Sequence, residues 1–149
     1  MWYRIFGANN VEPDHAAILE YLERIDLVRG RFHGDEAGWF HADLLCDDLT
    51  LLLDRYTADE EGIRAELNTW AAFVEAEGGP DNTWLMERLI QTQQLFTLQG
   101  LDTSRAELLC VALCKYLARA TNGVYQIDDA GFYTMDGTLL WRETQAGEA

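Results

Sequence analysis

Apolar residues recur along this chain in two periods, and the clearest stretch lies near the end. From Ser104 to Ala120, Leu109, Ala112, Leu113, Tyr116, Leu117 and Ala120 fall at three- and four-residue spacing, the stripe of an amphipathic helix. Ser104 followed by Glu107 has the form of a capping box, and Asn122-Gly123 supplies residues that tolerate the left-handed backbone ending a helix. The period then drops to two. Residues 124–128 (VYQID), 132–135 (FYTM) and 138–142 (TLLWR) read as strands, the last two joined by the hairpin pair Asp136-Gly137.

The first half repeats this alternation of patterns. Residues 2–7 (WYRIFG) predict a strand. Pro13 and Asp14 open a helix to about Asp26, with Ala17, Ile18, Tyr21, Leu22 and Ile25 on one face. Three alternating strands follow at 28–33, 39–46 and 49–56, linked by the loop 34–38 and by Asp47-Asp48. Symmetric closure of the first hairpin sets Phe32 opposite Phe40, Arg31 opposite His41 and Arg29 opposite Asp43. Closure of the second sets Leu44 opposite Leu51 and His41 opposite Asp54. One face then holds Val28, Phe32, Phe40, Ala42, Leu44, Leu51 and Leu53. The other holds Arg29, Arg31, His33, Trp39, His41, Asp43, Asp54 and Tyr56.

Thr57 with Glu60 forms a second capping box, opening a helix to about Glu77 with Ile63, Leu67, Trp70, Ala71 and Val74 inward. Gly78-Gly79 ends it. Pro80-Asp81 starts another helix through about Gln93, and the segment 94–98 (QLFTL) fits either a continued helix or a short strand. The order β-α-β-β-β-α-α-α-β-β predicts a single α+β domain over residues 1–149. Its sheet is largely antiparallel, its helices pack on one face, and residues 143–149 form a fraying tail.

Composition sharpens the picture. The 149 residues are 48% hydrophobic, enough for a core, yet 26 acidic residues against 11 basic ones give a net charge of −15. That charge repels nucleic-acid phosphates and favours a basic protein partner. No apolar run approaches the length of a membrane span, and the first ten residues lack the pattern of a secretory signal. Cys46, Cys110 and Cys114 are odd in number and sit in apolar patterns, as expected of reduced thiols in a cytoplasmic protein. Nothing in the pattern sets an oligomeric state.

Four groups of residues could carry chemistry. Arg31, His41, Asp43 and Asp54 share the polar strand face, where a histidine between carboxylates could act as a general base or help bind a divalent metal. Charges pairing across a solvated sheet account for the same residues. Cys110 and Cys114, with Cys46, could bind zinc or cycle as a redox pair, but no CxxC or histidine accompanies them and they suit core packing. Arg55, Arg64 and Asn68, with Glu60, Glu61 and Glu66, could anchor an anion or tie strand to helix, Arg55 needing a carboxylate if buried. The loop Ile127–Tyr133 (IDDAGFY) lacks the alternating ligands and closing glutamate of a calcium loop and reads as a turn. No nucleophile elbow, phosphate loop, dinucleotide fingerprint or HExxH is present, so no cofactor or metal is expected.

The runs IRAELNTWAAFVEAE, LMERLIQTQQLFTL and LARATNGVYQIDDAGFY resemble small bacterial α+β proteins, some suspected of being immunity factors in toxin systems. The resemblance covers the C-terminal two thirds, rests on fold-like patterning and carries no assigned active site to transfer onto a residue here. Two functions are therefore expected to compete. One is a non-enzymatic acidic protein-binding module of the immunity or inhibitor kind; the other is a small hydrolase or metal-dependent enzyme built on His41, Asp43 and Asp54. Nucleic-acid mimicry is a third, requiring carboxylates in rows on one face.

Overall fold

A computed structural model describes residues 1–78 and 82–143. The elements run β1 (Trp2–Gly7), α1 (His15–Glu23), β2 (Arg29–Asp35), β3 (Gly38–Cys46), β4 (Leu49–Thr57), α2 (Ile63–Gly78), α3 (Thr83–Ile90), β5 (Gln94–Gln99), α4 (Ser104–Ala120), β6 (Val124–Ile127), β7 (Gly131–Thr134) and β8 (Leu139–Arg142). All eight strands join one antiparallel sheet in the order β2-β3-β4-β5-β1-β6-β7-β8. The α+β class and antiparallel sheet agree with expectation. The expected element order is corrected to β-α-β-β-β-α-α-β-α-β-β-β.

The central strands explain themselves. β1 buries Tyr3 and Ile5 on one face and Phe6 on the other, so it must be covered on both sides, and it sits between β5 and β6. β5, the ambiguous segment, likewise buries Leu95 on one face and Phe96 and Leu98 on the other. A strand apolar on both faces has no period-two signature, which is why its sequence also fits a helix.

Helices pack on both faces rather than on one. α1 and α4 cover one face through Ile18, Leu22, Leu109, Cys110, Leu113 and Leu117, against Tyr3, Ile5, Leu44, Leu51, Leu53 and Phe96. α2 and α3 cover part of the other through Leu67, Ala71, Val74, Leu85 and Leu89, against Phe6, Leu95, Val124 and Phe132. The two cores lie on opposite sides of β1. The second was hidden in the sequence because its strand residues come from β1, β5, β6 and β7, far apart in the chain.

Helix ends depart from expectation in detail. The cap of α4 is Thr103, whose hydroxyl accepts from Ala106 N–H at 3.2 Å, one residue before the Ser104 expected. Within α4, Ala120 is exposed and Cys110 and Cys114 join the buried stripe. The Glu60 carboxylate does reach back to the Thr57 N–H at 2.5 Å, but α2 begins only at Ile63, after Gly62 at φ +84°. α1 stops at Glu23, leaving Ile25 exposed. At the end of α4, Asn122 takes φ +52° and Gly123 N–H returns to the Ala118 carbonyl at 2.8 Å. A Cβ on Gly123 would stand 2.1 Å from the Phe6 carbonyl oxygen, so the tight approach of this turn to β1 requires glycine. At the start of the expected tail, Glu143 N–H donates to the Ala130 carbonyl at 3.1 Å. The rest of that expected tail, 144–149, and the Gly79, Pro80 and Asp81 signals lie outside the described residues. Among the described residues, no helix is long and apolar enough to cross a membrane.

Candidate functional site

The polar strand face forms where helices do not reach, on the α2/α3 side of β2, β3 and β4. The second hairpin has the expected register, with His41 opposite Asp54 and Leu44 opposite Leu51. The first is shifted by two residues: Arg31 faces Asp43, Phe32 faces Ala42 and His33 faces His41. The causes are a tighter turn and a bulge, one residue each. Gly34 pairs with Trp39, so β3 carries an extra residue at Phe40, and the turn tightens to Glu36-Ala37. The bulge also exchanges two aromatics. Trp39 was expected outward and is 4% exposed, donating its indole N–H to the Pro13 carbonyl at 2.8 Å; Phe40 was expected inward and is 48% exposed. A bulge breaks strict alternation, and pattern alone does not reveal it.

The shift brings His33, His41, Asp43 and Asp54 together. His41 Nδ1 lies 2.7 Å from Asp54 Oδ1 and its Nε2 lies 3.1 Å from Asp43 Oδ1. His33 Nε2 stands 3.6 Å from Asp43 Oδ2, and the two imidazoles stack with centroids 5.7 Å apart. A neutral ring has one N–H and can satisfy only one carboxylate; the imidazolium satisfies both. The bond to Asp54 accordingly raises the His41 pKa above its ordinary value, with the Asp43 contact adding to it, and the bond from His41 lowers that of Asp43. Arg31, expected in this group, is exposed and makes no ion pair among the described residues.

Both ring nitrogens of His41 are therefore engaged. The chain's only serine, Ser104, opens α4 on the opposite face, and the three cysteines are buried there as free thiols. Among the described residues, no three His, Cys, Asp or Glu side chains are arranged to hold a metal ion. The arrangement can pair charges and bind protons; the hydroxyl residues near it are Thr97, paired opposite Asp54, and Tyr56, two residues along the same strand.

The other candidate groups resolve as follows. Cys110 and Cys114 are fully buried in the α4 core, where desolvation pushes the Cys110 thiol up to about 12 and that of Cys114 well above its usual value. Cys46, buried near the start of α4, accepts from Arg105 Nη2 at 3.1 Å; Arg105 also binds Asp26 and Asp47, holding the Asp26 carboxyl down at about 2. Asp128 of the IDDAGFY loop is taken by Arg4 at 2.6 Å, as a structural turn requires. Arg64 does not bind Asn68 or a glutamate; it caps the end of α3 through the Ile90 and Thr92 carbonyls at 2.6 and 3.3 Å.

Arg55 is the unexpected member. It is 7% exposed, as anticipated for a partly buried arginine, but it forms no ion pair with a carboxylate among the described residues. Its Nε donates to Gln94 Oε1 at 2.8 Å and its Nη1 to the Trp39 carbonyl at 3.1 Å. Gln94 passes the connection on, donating to the Asn9 and Val11 carbonyls at 2.8 Å each.

The chain matches no protein-family model, no curated protein and no solved structure.

Proposed function

We propose that this protein is a non-enzymatic binding module whose acidic surface docks a basic protein, in the manner of an immunity protein or inhibitor. The observation that carries the reading is electrostatic. The chain has a net charge of −15, and most of its acidic side chains have no ion-pair partner among the described residues. Unneutralised carboxylates oppose compaction and speed association with a positive surface. The competing enzyme reading would require a substrate to displace Asp43 from His41 Nε2 or Asp54 from Nδ1 before the ring could take a proton. The resemblance to toxin-system immunity proteins points the same way.

The test is affinity capture from the source cell at about 50 and about 500 mM salt, followed by reconstitution with the purified partner. The reading expects one stoichiometric partner of basic pI, bound at low salt and released at high salt. A partner that is neutral or acidic, binding that ignores salt, or no stoichiometric partner at all would refute it.

A further inference from the structure

The ladder between β3 and β4 ends at His41 and Asp54. Beyond that rung β4 runs on to Thr57 paired only with β5, while β3 runs back to Gly38 paired only with β2. The bulge at Phe40 drives the two strands apart, and the split holds a cavity of about 460 Å³. That volume suits a small molecule. Phe40, Asp54, Tyr56 and Glu60 lie around it, and Trp39 and Arg55 line it from the buried side of the sheet.

Arg55 is the reason to look further. A guanidinium removed from water is normally paired with an anion. Here Nε and Nη1 are spent on an amide and a carbonyl, the guanidinium lies 5.9 Å from the Trp39 ring centre, and Nη2, which donates to no protein group among the described residues, keeps contact with solvent. The Glu12 side chain reaches the same corner, where a Cβ on Gly38 would meet it at 2.4 Å and Arg55 Nη1 at 3.2 Å. Yet its Oε1 accepts from Trp39 N–H at 3.3 Å, and it forms no ion pair with Arg55. The rest of the lining carries three carboxylates, Asp35, Asp54 and Glu60, beside the rings of Phe40 and Tyr56; Asp54 Oδ1 is shared with His41 and Glu60 Oε2 with the Thr57 N–H, and each of the two keeps a second oxygen. A simple anion would meet Arg55 at the cost of passing three carboxylates. A positive group would meet acid and aromatic faces, which attract cations, but would be repelled by Arg55.

We propose that the split between β3 and β4 binds a small zwitterion whose carboxylate and positive group stand several bonds apart, the carboxylate on Arg55 and the positive group among Asp54, Phe40 and Tyr56. The separation follows from the sheet: Arg55 and Asp54 are neighbours in one strand and project to opposite faces. An ω-amino acid or the side chain and carboxylate of a basic amino acid has this form. The site is independent of the protein-docking role.

The experiment is a titration of the full chain with 5-aminopentanoate, followed by backbone amide NMR, with pentanoate and pentylamine as ligands carrying one charge each. The expected result is saturable binding of the zwitterion below about 10 mM, with shifts centred on Trp39, Phe40 and Tyr56, and at least about tenfold weaker binding of each half-ligand. Arg55→Lys should weaken the zwitterion and pentanoate together and leave pentylamine unchanged. Should Arg55→Lys unfold, the exposed Phe40→Ala is expected to weaken the zwitterion and pentylamine together while pentanoate is unaffected. Absence of saturation, pentanoate or pentylamine binding as tightly as the zwitterion, or shifts lying elsewhere would each overturn the proposal.

Discussion

His41→Gln tests the charge cluster at its centre. Glutamine can still donate a hydrogen bond to one carboxylate but is never charged, so the comparison isolates the imidazolium. The His41–Asp54 contact is 2.7 Å, between side chains 29% and 33% exposed. A hydrogen bond to a charged partner contributes about 1.5–3 kcal/mol when buried, and exposed ion pairs about 0.2–1 kcal/mol. At this partial exposure the loss should be about 1 kcal/mol. Its pH dependence has a fixed sign. The folded-state pKa of His41 is raised, so the native protein keeps a proton that the unfolded chain releases. The extra stability is fully present below the unfolded value of about 6.5 and drains away as pH rises through the folded one. Urea unfolding of both proteins at about pH 5.5, 7 and 8.5 gives the difference directly, and His15 and His33, common to both, cancel. The gap should be widest at the lowest pH and close upward, with the NMR midpoint of His41 above the ordinary histidine value. A gap that is flat or widens with pH, or a midpoint at or below that value, would mean that a ring nitrogen is free, and the enzyme reading would return.

Two further outcomes bear on the fold and the thiols. Leu113→Ala, at a fully buried position of α4, should cost about 3 kcal/mol and lower Tm by roughly 10 °C, while Leu108→Ala on the same helix, 61% exposed, should change stability by less than about 0.5 kcal/mol; equal effects in thermal melts would place the stripe wrongly. Cys46, Cys110 and Cys114 are all raised in pKa and should react with an aromatic disulfide reagent at about pH 8 only as fast as the chain unfolds, so a rapid stoichiometric reaction of any one in the native protein would contradict their burial.

What could be read from the sequence was whatever depends on local period. The helix stripe of α4, the three strands from β2 to β4 and the His41–Asp54 rung all follow from alternation or from three-and-four spacing. What could not be read depends on residues distant in the chain or on a single inserted position. β5 owes its strand conformation to β4 and β1 on either side of it, and the second core draws on four separate strands. The tighter turn and the Phe40 bulge each move the register by one and together exchange Trp39 for Phe40, yet they leave Arg29, Arg31, His33, Asp43 and Asp54 on the face expected. A shift of two residues preserves sidedness, so these side chains keep their face even where their cross-strand partners change.

The geometry of cover decides which of the two clusters calls for a functional explanation. Eight strands at about 4.8 Å spacing make a sheet about 38 Å wide, and two helices side by side cover only about 20 Å of it. With four helices shared between two faces, part of each face must stay open. α1 and α4 serve the face backed by β2 to β6; α2 and α3 serve the other over β1, β5, β6 and β7. The second face of β2, β3 and β4 is therefore left to solvent, which favours polar side chains there whatever the protein does, although Phe40 and Leu52 are also exposed on it. Arg29, Arg31, His33, His41, Asp43 and Asp54 meet that demand, and cross-strand pairing follows from their crowding. Arg55 meets no such demand. It points to the covered side, in the row of Leu49, Leu51 and Leu53, where an apolar residue would continue the pattern. Holding a cation there, with an amide, a carbonyl and the Trp39 ring for partners, Glu12 near by and no carboxylate in an ion pair among the described residues, is a cost that neither coverage nor alternation imposes. Of the two clusters, the split strand around Arg55 is thus the one whose composition the fold leaves unexplained.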